Sequence, residues 1–120
     1  MQKYFDNNLV VNVNFDTTGL EGKTFIITRS GAAFRTMKKR YEKDLGIIRF
    51  KDNAYEILWG FDHGLGRPTS ELPAHVLCHR ARLADDEHNK IVMHCHPTYL
   101  NAMTMIHSLD EEEFTKTLWK

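Results

Sequence analysis

Ile91-Val92-Met93-His94-Cys95-His96-Pro97 is the stretch whose reading decides what kind of fold this is. Apolar residues run on until two imidazoles appear one residue apart, which reads as a short buried β-strand. Side chains alternate faces along a strand, so His94 and His96 point the same way, about 7 Å apart at Cα. Two neutral imidazoles on one face can close on a single cation at about 2.1 Å from each nitrogen. Pro97 then stops the strand, and its fixed φ suits the first position of a following helix. The pair is thereby expected at the carboxyl end of a strand, where α/β proteins commonly place ligands. By itself it is weak. Seven histidines in 120 residues give about 0.4 His-x-His pairs by chance, and two hydrogen-bonded histidines at a strand end are the plainer reading.

Working outward, Pro68-Thr69-Ser70-Glu71-Leu72-Pro73 opens a long helix with a hydroxyl N-cap, an acid in the first turn and a tolerated early proline. Leu72, Val76, Leu83 and neighbouring alanines supply its buried stripe, and residues 85–89 break it before the opening strand. Before it lies a flexible loop over residues 60–67. Gly46 to Lys51 and Ala54 to Trp59 flank Asp52-Asn53, two residues that tolerate positive φ, and this predicts a β-hairpin. Thr24-Phe25-Ile26-Ile27-Thr28 is β-branched and apolar, so a buried strand is expected there. Leu9, Val11, Val13 and Phe15 alternate with polar or smaller residues, which predicts a half-buried strand at a sheet edge. Arg29-Ser30-Gly31 is a turn, followed by a short helix over residues 32–39 whose Lys38-Lys39-Arg40 run is a solvated end. Beyond Pro97, Leu100, Met103 and Ile106 or His107 recur at helical spacing. Ser108-Leu109-Asp110-Glu111 fits a capping box for a last helix.

A chain of this length forms one domain and buries about 65% of its unfolded surface. Its hydrophobic and charged fractions, 42% and 27%, are those of an ordinary globular protein. The formal net charge of zero gives no reason to expect nucleic acid or an anionic membrane as partner. No apolar stretch follows Met1 and none approaches a membrane span, so a cytoplasmic protein is expected. Cys78 and Cys95 lack metal-ligand spacing with each other and read as two free, mostly buried thiols.

Three further groups of residues carry chemistry. Glu71 stands at a helix start, with His75 and His79 on the same side one and two turns on. A first-turn acid is commonly no more than that, but here it could act as a general acid or base. His75 and His79 could bind a metal at i,i+4 spacing; without the intervening Glu of a protease motif, packing or supporting hydrogen bonds suit them better. Thr69 and Ser70, with the free N–H groups of the helix start, and Ser30-Gly31, at a strand-to-turn junction, are each a natural anion site and each an ordinary cap or turn. Taken together, anion donors, a carboxylate and paired histidines describe metal-assisted chemistry on a phosphorylated small molecule.

Ile57-Leu58-Trp59-Gly60, Pro68 to His75, Val92-Met93-His94-Cys95-His96-Pro97 and Phe114 to Trp119 occur in an order and spacing that resemble the class II aldolase family. The match is nearest to its members that cleave rhamnulose phosphate and runs from about Lys23 to Trp119. The resemblance implies an α/β fold with a mainly antiparallel sheet covered by helices, incomplete here, and a homotetramer acting on a sugar phosphate. It implies that His94 and His96 are zinc ligands, that Glu71 transfers a proton, and that Ser30, Gly31, Thr69 and Ser70 hold the substrate phosphate. The family's third zinc histidine and its amino-terminal Asn-Gly-Gly-Asn loop have no counterpart, and Arg29 stands where a small residue is expected. Residues 1–120 are therefore expected to be part of a longer enzyme and inactive alone. A pentulose-phosphate epimerase of the same family, and a non-catalytic interaction domain keeping the fold, are the alternatives.

Overall fold

The computed structural model describes residues 8–106 together with residues 112, 115 and 116. Four strands form one antiparallel sheet: β1 (Leu9–Asn12), β2 (Thr24–Thr28), β3 (Leu45–Lys51) and β4 (Ala54–Gly60), in the order β1-β4-β3-β2. Helical segments are α1 (Phe34–Met37), α2 (Tyr41–Asp44), α3 (Phe61–Gly64), α4 (Leu72–Asp85) and α5 (Thr98–Ile106). The chain is thus α/β, with an antiparallel sheet covered by helices.

The hairpin forms as its sequence dictates. Asp52 and Asn53 take φ of 52° and 55°, and β3 pairs with β4 on either side of them. Register then fixes the buried face. Phe25 stands opposite Ile48, Ile48 opposite Ile57, and Phe50 opposite Tyr55, so these rings and branched side chains share one side of the sheet. Leu72 and Val76 of α4 join the same core, and Val11, Val13, Phe15, Phe25 and Leu83 pack against it from the margins. Of the apolar stripe expected of that helix, Leu72 and Val76 are buried and Leu83 partly so, whereas the alanines Ala74, Ala81 and Ala84 are exposed.

Several expectations change. β2 is not a buried strand but an edge, with β3 on one side only, and Ile26 is 73% exposed on the face away from the core. The helix expected over residues 32–39 shrinks to the single turn α1, which has neither a side-chain cap nor a buried residue to extend it. The loop after β4 carries α3, whose residues Phe61, Asp62 and His63 all lie at positive φ. Phe61 is fully buried there, its ring pressed on Gly46. The long helix begins at Leu72, and its N-cap residue is Glu71 without a side-chain cap bond, not a hydroxyl. Thr69 is committed elsewhere: its N–H donates to Thr28 C=O at 2.9 Å, and its Oγ1 accepts from Glu71 N–H at 3.3 Å.

The largest departure concerns the opening stretch. Residues 91–97 form no strand; they run as irregular, mostly exposed chain into α5. An apolar run becomes a strand only where a neighbour pairs its N–H and C=O groups. Beside β2, the outer edge at Thr28 and Ser30 is taken by residues 67–69. Pro97 directly precedes α5 instead of occupying its first turn. Cys78 and Cys95 are free but exposed: Cys78 lies two residues beyond Val76, on the outward side of α4, and Cys95 is on the irregular segment. The capping box at residues 108–111 lies outside the described residues.

Candidate functional site

The end of β2 and the start of α4 are laced together, and this brings two of the sequence-derived groups side by side. Arg29 and Pro68 form an antiparallel bridge. Ser30 N–H donates to Arg67 C=O at 2.9 Å, while Thr28 C=O receives the N–H of Thr69. Ser30-Gly31 and Thr69-Ser70 therefore occupy adjacent turns, with Gly31 at φ 80° bending the first away from the strand. All four are only partly buried or exposed, so an anion can reach them.

His94 and His96 stay together although their strand does not form. Their Nε2 atoms are 2.9 Å apart, one ring donating and the other accepting according to tautomer. A tetrahedral zinc with bonds near 2.05 Å separates two nitrogen donors by about 3.3 Å, so a few tenths of an ångström of opening lets both bind one ion. The pair fits as two ligands. Among the described residues, no group of three or more His, Cys, Asp or Glu is placed to hold a metal.

A groove of about 880 Å³ lies against β2 and α4, lined by Phe25, Ile27, Val76, His75, His79 and His94 among others; His96 and the four residues of the two turns are not part of its lining. Glu71 is not part of its lining and stands one turn before His75, at the mouth of α4. His75 N–H donates to Glu71 C=O at 3.0 Å, which fixes the two on one side of the helix. Burial lowers the His75 pKa below the usual histidine value; His94 lowers it further and Glu71 opposes. His75 thus feels both the Glu71 carboxylate and His94. Burial also lowers the pKa of His79, with His75 adding to it. The His79 ring packs on Phe25 at 4.8 Å, and its Nδ1 is buried without a partner. His79 thus packs against the sheet, the role preferred for it over the metal binding that its i,i+4 spacing with His75 allows.

One element of the site was not legible beforehand. Asp44 is 1% exposed and faces Arg29, the residue just ahead of Ser30. In sequence it belongs to the polar run Glu42-Lys43-Asp44 and looks solvated; only the arginine beside a candidate anion turn hinted at a partner.

Residues 1–118 match the family model described as Class II Aldolase and Adducin N-terminal domain, and the chain belongs to this family. It is 44% identical over 123 aligned positions to a rhamnulose-1-phosphate aldolase of Listeria monocytogenes serotype 4a (strain HCC23), covering 98% of this chain and 45% of that protein. A rhamnulose-1-phosphate aldolase of Enterococcus faecalis (strain ATCC 700802 / V583) is 46% identical over 112 positions, covering 92% of this chain and 40% of the relative. One from Mannheimia succiniciproducens is 35% identical over 121 positions, 98% of this chain and 44% of the relative. The chain thus spans less than half the length of the curated relatives it matches. No helix among the described residues is long and apolar enough to cross a membrane.

Proposed function

We propose that this chain belongs to a zinc-dependent aldolase that cleaves L-rhamnulose 1-phosphate to dihydroxyacetone phosphate and L-lactaldehyde. The observation that carries the reading is the convergence of His94 and His96 Nε2 at 2.9 Å in a chain with this family membership. His94 and His96 would hold the zinc, which when bound supplies Lewis-acid polarisation of the ketose oxygens. The hydroxyls of Ser30, Thr69 and Ser70 and the backbone N–H groups of Gly31 and Ser70 bind the phosphate, fixing the orientation of the ketose; the N–H groups of Ser30 and Thr69 hold the turns to each other instead. Glu71 takes up and returns the proton as the C3–C4 bond breaks.

The substrate is thereby a phosphorylated ketose and not a nucleic acid or a lipid. A homotetramer is the assembly we expect of the whole protein. In a protein of the relatives' full length, Glu71→Gln should lower the rate of cleavage by about 100-fold or more while zinc, read by metal analysis, stays bound. Cleavage at the unmodified rate would remove Glu71 from the mechanism.

A further inference from the structure

The two turns that carry the phosphate donors meet a cluster of charges that the reaction proposed above leaves unused. Asp44 closes α2 with its side chain almost wholly buried. Its Oδ1 faces Arg29 Nη2 at 3.4 Å and Arg40 Nη2 at 3.8 Å, and its Oδ2 is buried with no partner. Arg29 is tied to the same residue through the main chain, its N–H donating to Asp44 C=O at 2.8 Å. The stem of Arg29 also fills the place where a larger residue at position 66 would put its side chain. A Cβ on Gly66 would stand 2.4 Å from Arg29 Cδ.

Each turn therefore rests on Arg29. Ser30 and Gly31 follow it directly in the chain, and Pro68, just ahead of Thr69 and Ser70, bridges to its backbone. Removing a guanidinium and a carboxylate from water is costly, and apolar side chains of similar volume often serve stability as well or better. What such a pair adds is a defined position for the segments that carry it. Arg29 thus stands close to the anion turn without being spent on the anion: its guanidinium is directed to Asp44.

We propose that Arg29 and Asp44 are positioning residues that hold Ser30-Gly31 and Thr69-Ser70 at the spacing one phosphate requires. The inference rests on the phosphate role given to those four residues above. It predicts that loosening the pair moves the two turns apart and weakens phosphate binding, without touching the metal pair on residues 94 and 96.

The test titrates the full chain with inorganic phosphate and follows the backbone amides of Ser30, Gly31, Thr69 and Ser70 by NMR. A separate titration follows zinc at His94 and His96. Arg29→Gln and Asp44→Asn should each weaken phosphate binding about ten- to hundredfold and leave zinc affinity unchanged. Arg29→Lys, which keeps the charge, should retain more affinity than Arg29→Gln. If Asp44→Asn does not fold, the partly exposed Arg29 decides the matter. A folded Arg29→Gln protein that binds phosphate as tightly as the parent overturns the proposal, as does equal loss in the Gln and Lys variants. So does a loss that merely follows the unfolded fraction seen in thermal melts. No response of the four amides in the parent chain overturns the phosphate role itself and this inference with it, whereas a normal parent with unaffected variants overturns this inference alone.

Discussion

His79 shows how one residue can carry a pH dependence. Its ring lies against Phe25 with Nδ1 buried and unpartnered, and burial lowers its pKa, as it does that of His75. Well above the ordinary histidine value of 6.5, folded and unfolded chains are both neutral at these rings, and their contribution to stability is complete. As pH falls through that value, the unfolded chain takes up protons that the folded chain refuses, so stability declines until the lower folded pKa is passed. Denaturant midpoints should therefore drop between about pH 7.5 and 5.5. His79→Leu should make the drop smaller. The acids with lowered pKa, Asp16, Glu56 and Asp86, titrate below that window and lose their contribution only in stronger acid. An unchanged slope in the Leu variant would show that the His79 ring finds a proton-tolerant setting in the folded chain.

Among the elements, the contact between β3 and α3 makes the sharpest demand on sequence. Phe61 is fully buried at φ 52°, and its ring occupies the space over Gly46 so closely that a Cβ there would be 2.2 Å from Cε2. Gly46→Ala should cost about 1–3 kcal/mol through overpacking, measured by denaturant unfolding. Pairing it with Phe61→Leu should cost less than the sum of the two single changes. Strict additivity would place the strain elsewhere. This contact also marks the limit of what the sequence reveals. The hairpin was legible because Asp52-Asn53 and its flanking strands are a local signal, complete within fourteen or so residues. The stripe of Leu72, Val76 and Leu83 was legible for the same reason, since helical period is local. The left-handed turn of α3 was not, because positive φ at Phe61 is held by a ring docked on another element and has no sequence signature. Asp44 was hidden likewise: its burial depends on Arg29, fifteen residues away. Residues 91–97 failed as a strand because an apolar run shows willingness to pair, not the presence of a partner. Yet the pairing of His94 with His96 survived, since residues two apart in irregular chain can still meet.

At the scale of the whole molecule, the parts of the proposed site are unequally supported. The turns at Ser30-Gly31 and Thr69-Ser70 are fixed to the sheet through Arg29, Thr28 and Arg67, whereas the paired histidines lie on a segment where Ile91 is 87% and Met93 72% exposed. Tyr99 and Met105 of α5 are open to water as well. Large apolar side chains so uncovered on one continuous segment fit a surface that is covered in a larger assembly, and the chain spans less than half of relatives such as the Listeria protein. Two imidazoles on such a segment can bind zinc, but neither ligand number nor surroundings hold them in place for it. Competition titration should therefore show His94→Ala and His96→Ala each abolishing zinc binding by this chain. A protein of the relatives' full length should bind zinc more tightly by more than the roughly 10–100-fold that loss of a single supporting partner costs. Equal affinity in the two would mean that His94 and His96, as placed here, already make the complete metal site, and the requirement for a further histidine would have to be abandoned.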